Sequence, residues 1–187
     1  MKARPATSPP LVSVVLRTKD RPRFLAEALD SLRSQTFRDF ETLVVNDGAP
    51  LAAEVAADER VRIVVPEAPG GRTRALNTGL RAARGSFVAY LDDDDLFEPG
   101  HLEHLVAAAS QDGVVGAYSD AMLIVQTTDG AGHYREERRQ PIFGREFDAD
   151  RLLFSNYIPL ICLLHRREAA LEAGLFDETF DLFEDWD

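Results

Sequence analysis

Four consecutive aspartates, Asp92 to Asp95, directly follow an apolar run at 86–91. A run of β-branched and aromatic residues of this length predicts a buried strand. Neighbouring carboxylates repel one another and oppose folding unless a cation lies beside them. Because side chains alternate along extended backbone, we expect Asp92 and Asp94 to face one way, and Asp93 and Asp95 the other. Either pair offers oxygen ligands that suit Mg²⁺ or Mn²⁺. The alternative interpretation is a solvated acidic turn or a charge cluster at a helix N-terminus.

Strands and helices alternate along the rest of the chain. Apolar runs predict strands at 11–16, 40–45, 61–65, 86–91, 114–127 and 160–165, with a hairpin partner at 133–139. Helical patterns lie at 22–32, 50–58, 72–84, 99–110, 150–154 and 166–173, with Asp20 and Gly85 as expected caps of the first and third. This alternation predicts an α/β fold, a three-layer α/β/α sandwich with a mostly parallel central sheet.

Composition limits the classes of function. The 187 residues suffice for one domain, and a net charge of −11 argues against binding to nucleic acid. The single cysteine, Cys162, excludes an internal disulfide. No stretch approaches the roughly 18 apolar residues that a membrane span needs. Residues 1–10 lack the apolar core of a signal peptide, so we expect a disordered arm there and a cytoplasmic protein.

Polar residues follow several of the predicted strands. In a parallel sheet the segments around Thr18, Asp47 and Asp92 would share one edge, where ligands of open α/β sheets bind. Asp47 is a candidate acceptor for a base or ribose, and the alternative is a turn formed with the glycine after it. Arg72 and Arg74 follow a Gly-Gly pair at a helix start and are candidates for binding a diphosphate, although surface arginines are commonly solvated.

Several segments match the motifs of a known family in order. They are 12–15 (Val-Ser-Val-Val), 23–36, 40–48 (ending Asn-Asp-Gly), 75–79 (Ala-Leu-Asn-Thr-Gly), 83–85, 90–99, 176–180 and 184–187 (Glu-Asp-Trp-Asp). Together they cover nearly the whole chain after the first ten residues. The combination resembles family 2 glycosyltransferases of the GT-A fold, which transfer a sugar from a nucleotide diphosphate to an acceptor with inversion, using a divalent metal.

The resemblance implies a role for each matching residue on the donor side. Asp47 matches the residue that contacts the base, and Thr18 lies beside the nucleotide. Asp92 and Asp94 match the Asp-x-Asp motif, with Asp94 as the direct metal ligand, while Asp93 is expected to contact the ribose or the sugar. Where the family often has Pro-Thr-Tyr-Asn, this chain has Arg-Thr-Lys-Asp at 17–20.

Further residues bear on binding of the diphosphate, on catalysis and on metal binding. Leu76 replaces a frequent arginine, so the diphosphate clamp is expected at Arg72 or Arg74. Asp185 matches the general base. His101 and His104 have a spacing that could reach a metal, and a structural role is the favoured alternative.

The resemblance also implies an organisation and a set of partners. Residues 11–187 are expected to form a single GT-A domain, with 11–98 as the nucleotide-binding half and 99–187 as the acceptor-side half. Since the chain stops two residues after Asp185, this second half is expected to be incomplete, through truncation at the C-terminus. The expected donor is a UDP-sugar with Mn²⁺ or Mg²⁺, and the acceptor is a saccharide or another hydroxyl compound.

Two alternative functions remain. One is a catalytically silent module that binds a nucleotide sugar. The other is a sugar nucleotidyltransferase, but the glycine-rich loop that such enzymes carry after their first strand has no counterpart at 17–22, which contains no glycine.

Overall fold

The computed structural model of the protein describes residues 8–68, 70–129, 134–142 and 145–180. Most of the expected arm at 1–10 therefore lies outside the described residues. The strands are β1 (Val12–Thr18), β2 (Phe40–Asn46), β3 (Val61–Val64), β4 (Phe87–Asp92), β5 (Gly116–Tyr118), β6 (Ala121–Thr128), β7 (Tyr134–Ile142) and β8 (Leu163–Arg166). The helices are α1 (Pro22–Arg33), α2 (Gly71–Ala82), α3 (His101–Ala109), α4 (Ala149–Leu152) and α5 (Arg167–Ala173), with 3-10 turns at Ala53–Ala57 and Leu160–Cys162.

One six-stranded sheet organises the molecule, in the order β3-β2-β1-β4-β8-β5. The first four strands in that order run parallel, whereas β8 is antiparallel to both β4 and β5. The central strand β1 aligns Arg17 with Val45 of β2 on one side and with Asp92 of β4 on the other. The carboxyl ends of β1, β2 and β4 therefore meet at one edge, which confirms the mostly parallel sheet.

Helices cover both faces of this sheet. On one face, α1 and α3 bury apolar side chains such as Leu25 and Leu102 against Val14 of β1. On the other face, α2 buries Leu76 and Leu80 against the opposite side of the strands. Because both faces are covered, apolar residues of the parallel strands pack on both sides of the sheet, which explains their predominantly hydrophobic runs. The predicted three-layer α/β/α sandwich is confirmed.

The two expected helix caps are wrong. Arg21 is the residue before α1 and makes no side-chain cap. Asp20 has a φ of 55° and instead accepts a hydrogen bond from the Ala49 N–H at 2.8 Å. Helix α2 ends before Gly85, where a Cβ would lie 2.5 Å from the backbone nitrogen of Ser13. Gly85 thus permits close packing against β1 and does not end the helix.

A two-stranded hairpin, β6 with β7, stands apart from the main sheet. This confirms the predicted hairpin, although 130–133 at its turn lie outside the described residues. The guanidinium of Arg23 lies 4.4 Å from the ring centre of Tyr134 and ties the hairpin to α1.

In the described part of the chain, no helix combines the length and the apolar character needed to cross a membrane.

Candidate functional site

A cleft of about 400 Å³ opens at the carboxyl ends of β1, β2 and β4. Its walls come from the loop after β1, the end of β2, the start of α2 and the aspartates after β4. The predicted site residues on its lining are Thr18, Asp47, Arg72, Asp92, Asp93 and Asp94. This is the edge of an open α/β sheet where ligands bind, because strand ends leave polar side chains and backbone groups there.

Three of the four aspartates converge. Asp92, Asp94 and Asp95 each place a carboxylate oxygen within 4.8 Å of the others, an arrangement that fits a hard cation. The expected alternation fails after Asp92, because the chain turns there and the Asp95 N–H donates to the Asp92 carbonyl at 3.1 Å. Asp95 consequently joins Asp92 and Asp94, while Asp93 points elsewhere. Burial, followed by repulsion from Asp92 and Asp94, raises the pKa of Asp95 to about 6.

Three arginines compensate these carboxylates, and two of them, Arg17 and Arg21, were not predicted from the sequence to belong to the site. Arg17 donates from Nε and Nη2 to the two oxygens of Asp92 at 2.6 and 2.5 Å. Arg72 approaches the same carboxylate, with 3.6 Å between its Nη2 and Oδ2. Arg21 donates from Nη1 to Oδ2 of Asp94 at 2.8 Å. The acidic run is therefore part of an ion-pair network, which argues against a fully solvated acidic turn.

Asp93 binds the loop after β1. Its side chain is 1% exposed, and it accepts hydrogen bonds from Thr18 Oγ1 at 2.8 Å and from Arg21 Nε at 3.2 Å. Two residues expected to contact the nucleotide thus contact each other. The arrangement fixes the loop at 18–21 to the end of β4, and the expected contact of Asp93 to ribose or sugar stays a prediction.

Asp47 lies at the end of β2 with its side chain 11% exposed, and it forms an ion pair with Lys19 at 3.3 Å. The preceding Asn46 shapes the loop around it. The Asn46 side-chain amide donates to the Ala49 carbonyl at 2.8 Å and its oxygen accepts from the Gly48 N–H at 3.2 Å. An ionised aspartate at 46 could not make the first of these bonds, because it has no donor.

The two candidates for binding the diphosphate, Arg72 and Arg74, lie on different faces of α2. Helix α2 begins at Gly71, which has a φ of 72° and lines the cleft together with Arg72. No side chain caps this helix end, so its first N–H groups have no side-chain acceptor at the cap position. Arg74 lies on another face of α2 and donates from Nε to Glu178 at 3.0 Å. Arg72 is therefore the better placed of the two.

The segment 175–180 crosses α2 and is held by Asn77. The Asn77 amide donates to the Phe176 carbonyl at 2.9 Å and to Glu178 at 3.1 Å, and its oxygen accepts from the Phe176 N–H at 3.0 Å. From the sequence, Asn77 was noted only as part of the motif at 75–79, with no role of its own. The expected general base, Asp185, lies outside the described residues.

None of the described histidines lines the cleft. His101 stacks on Phe97 with 4.1 Å between ring centres, and His104 Nδ1 bonds to the Gly100 carbonyl at 2.7 Å. His165 Nε2 lies 2.7 Å from the Tyr90 hydroxyl. These contacts support the structural role favoured for His101 and His104.

Comparison with known proteins identifies a family whose sequence pattern this chain matches. The sequence model described as "Glycosyl transferase family 2" matches residues 13–171. An uncharacterized glycosyltransferase, YwdF of Bacillus subtilis (strain 168), is 29% identical over 179 residues, which are 94% of this chain and 65% of that protein. The O-antigen biosynthesis protein RfbC of Myxococcus xanthus is 32% identical over 181 residues, 92% of this chain and 14% of RfbC. The chain thus spans 65% of YwdF and a far smaller part of RfbC.

Solved structures share the fold. Mannosyltransferase PcManGT from Pyrobaculum calidifontis, in complex with GDP-Man and Mn²⁺, superposes with a TM-score of 0.62 at 18% identity, covering 92% of this chain and 49% of that one. S. aureus TarS 1-349 in complex with UDP gives a TM-score of 0.61 at 20% identity, covering 94% and 52%. At these identities the likeness establishes a common architecture.

Proposed function

The chain belongs to glycosyl transferase family 2, and from that premise we propose that it transfers a sugar from a nucleotide diphosphate sugar to an acceptor hydroxyl with inversion. The transfer would serve polysaccharide or glycoconjugate synthesis. The observation that carries the proposal is the cleft at the ends of β1, β2 and β4, where three convergent carboxylates lie beside several cationic side chains. Such a site combines ligands for a hard cation with donors for a diphosphate.

The carboxylates fit a divalent ion by their chemistry and spacing. Oxygens of Asp92, Asp94 and Asp95 lie within 4.8 Å of one another, and oxygen-only ligand sets suit Mn²⁺ and Mg²⁺. Asp94 would be the principal ligand, because Arg17 already holds both oxygens of Asp92. When bound, the ion supplies positive charge that offsets the charge developing on the leaving diphosphate.

The nucleotide would lie along the edge between β1 and β2. Asp47 would accept a hydrogen bond from the base, and the segment around Thr18 would border the nucleotide. Arg72 and the N–H groups at the start of α2 would bind the diphosphate, because a helix N-terminus and a guanidinium both favour anions. We propose a UDP-sugar as the donor. GDP-sugars belong in the test, because one neighbour of the same fold was solved with GDP-Man.

The acceptor hydroxyl requires a base, since a neutral hydroxyl is a weak nucleophile. We propose that Asp185 takes its proton while the hydroxyl attacks the anomeric carbon from the side opposite the diphosphate. The support is the match of 184–187 to the family motif.

Calorimetric titration with UDP and GDP, each with Mn²⁺ and with EDTA, tests the donor site. We expect tight binding of one nucleotide in Mn²⁺, and binding at least about tenfold weaker both in EDTA and in Asp94→Ala, a loss of about 1.4 kcal/mol. Asp30→Ala removes an exposed carboxylate of α1 that does not line the cleft, and it serves as the control. Affinity that is indifferent to EDTA and to Asp94→Ala would sink the metal assignment. Donor binding without turnover would favour the silent binding module.

A further inference from the structure

Arg21 bridges two aspartates of unequal exposure. Its Nε donates to Asp93 Oδ2 at 3.2 Å and its Nη2 forms an ion pair with Asp93 Oδ1, while its Nη1 donates to Asp94 Oδ2 at 2.8 Å. Asp93 is 1% exposed, whereas the side chains of Asp94 and Arg21 are 47% and 46% exposed. One side of the guanidinium is therefore fixed on a buried carboxylate, and the other meets a solvated one at the cleft.

Arg17 differs from Arg21 in how far its ion pair is exposed to solvent. The Arg17 side chain is 10% exposed, and its Nε and Nη2 donate hydrogen bonds to the two oxygens of Asp92. A part-buried bidentate pair of this kind is costly to separate, because separation would leave both charges partly desolvated. The half-exposed contact between Arg21 and Asp94 carries no such penalty, because water can solvate both groups as they part.

The charge of the site changes sign with a divalent ion. Asp92 to Asp95 supply four carboxylates, and Arg17, Arg21 and Arg72 supply three guanidiniums, so the network carries one excess negative charge when all are ionised. A dication converts this to one excess positive charge, which attracts a diphosphate. However, a guanidinium 2.8 Å from Asp94 competes with a cation for that carboxylate.

We propose that Arg21 is an exchangeable counter-ion of the donor site. Its Nη1 holds Asp94 until a divalent ion takes that carboxylate, and Nη1 then donates to the diphosphate of the donor. The Nε and Nη2 side stays on Asp93 throughout and acts as the pivot. Arg21 is thereby a diphosphate-binding residue that couples metal binding to nucleotide binding; this inference rests on the donor site under the proposed function.

The proposal predicts opposite effects of one substitution on two ligands. Arg21→Gln keeps an amide donor for Asp93 but removes the positive charge from Asp94. Mn²⁺ alone, titrated by electron paramagnetic resonance of the free ion, should bind about tenfold tighter to Arg21→Gln than to the wild type. UDP in saturating Mn²⁺, measured by calorimetry, should bind about tenfold more weakly. Uridine should bind both proteins equally, because it has no phosphate.

Arg23→Gln is the matched control, since it neutralises an exposed arginine two residues further along the chain, in α1, that pairs with Glu27 at 3.2 Å. It should leave Mn²⁺ and UDP binding unchanged. If Arg21→Gln unfolds, Arg21→Lys carries the test, because it keeps a cation on Asp93 without spanning both aspartates. It should change both affinities in the same directions by a smaller factor.

Different results would overturn the exchange at Arg21 and the donor site itself. A wild type that binds Mn²⁺ and UDP, beside an Arg21→Gln that binds Mn²⁺ no more tightly or UDP no more weakly, overturns the exchange alone. An equal gain in Mn²⁺ affinity in Arg23→Gln also overturns it, since the effect would then be general electrostatics. A wild type that binds neither Mn²⁺ nor a nucleotide diphosphate overturns the donor site itself and this inference with it.

Discussion

Asp47 is the residue on which base recognition depends in the proposed function. We predict that Asp47→Ala weakens UDP binding by about 1.5–3 kcal/mol, the usual loss for a hydrogen bond to a charged group. The loss should be similar in Mn²⁺ and in EDTA, because the missing contact is to the base. Its ion-pair partner Lys19 is 63% exposed and stays solvated after the substitution, so the fold should persist. Calorimetry showing wild-type affinity would reject the assignment.

His101 gives the fold a sensitivity to acid. Its burial against Phe97 lowers its pKa to about 4 from the ordinary 6.5, with a smaller contribution from His104. The unfolded chain therefore takes up a proton before the folded one does, so the stability is full above pH 6.5 and falls as the pH drops toward 4. We predict a loss of about 1–2 kcal/mol from this group between pH 7 and pH 5.

Urea unfolding at both pH values measures this loss. His101→Phe keeps a ring on Phe97 and cannot be protonated, so it should lose less stability on acidification than the wild type. Equal losses in the two proteins would mean that other groups cause the acid sensitivity.

Individual site residues were predictable where their chemistry was concentrated in sequence. The run of four aspartates predicted an acidic site, and the carboxylates of Asp92 and Asp94 do converge. Arg17 and Arg21 were not assigned, because a charge after a strand is usually solvated and only the parallel register of β1 with β4 brings Arg17 beside Asp92. The turn after Asp92, which turns Asp93 inward, has no glycine or proline to signal it.

Among the elements, α2 packs closely against β1 of the sheet at Gly79. A Cβ there would overlap Val15 Cγ1 and lie 3.0 Å from Cγ2. Alanine gains about 1 kcal/mol of helix propensity over glycine, but overpacking a core costs about 1–3 kcal/mol. We predict that Gly79→Ala destabilises the protein by about 1 kcal/mol net, because β-branched Val15 has little freedom to move aside.

A double-mutant cycle checks this packing. Val15→Ala creates space for the added methyl, so it should cost less in Gly79→Ala than in the wild type when urea unfolding is compared. Purely additive effects of the two substitutions would show that α2 shifts without contacting Val15.

Elements with strong local signals were predicted well. The continuous apolar runs of β1, β2 and β4 and the periodic α1 left little ambiguity, because burial on both sheet faces and on one helix face dictates those patterns. The run at 160–165 begins as a 3-10 turn and becomes strand only at Leu163. Its antiparallel direction depends on pairing with β4 and β5, which no local pattern encodes.

Across the whole molecule, the proposed donor contacts and the expected catalytic base come from different ends of the chain. The cleft is lined by the loop after β1, the end of β2, the start of α2 and the aspartates after β4, all before residue 99. This distribution supports 11–98 as the proposed nucleotide-binding half and leaves acceptor activation to 99–187. Asn77 links the two, since it holds the segment 175–180 on α2.

We therefore predict that Asp185→Asn separates binding from chemistry. The amide is nearly isosteric and cannot accept a proton, so transfer should fall by about 10²–10⁴-fold, the usual scale for losing a general base. Donor and metal affinity should remain near wild type, because their proposed contacts lie elsewhere. Transfer is measured as nucleotide release with acceptor present, in a protein whose wild type is active, and binding by calorimetry. Full transfer activity in Asp185→Asn would move the base to Glu184 first and to Asp187 second.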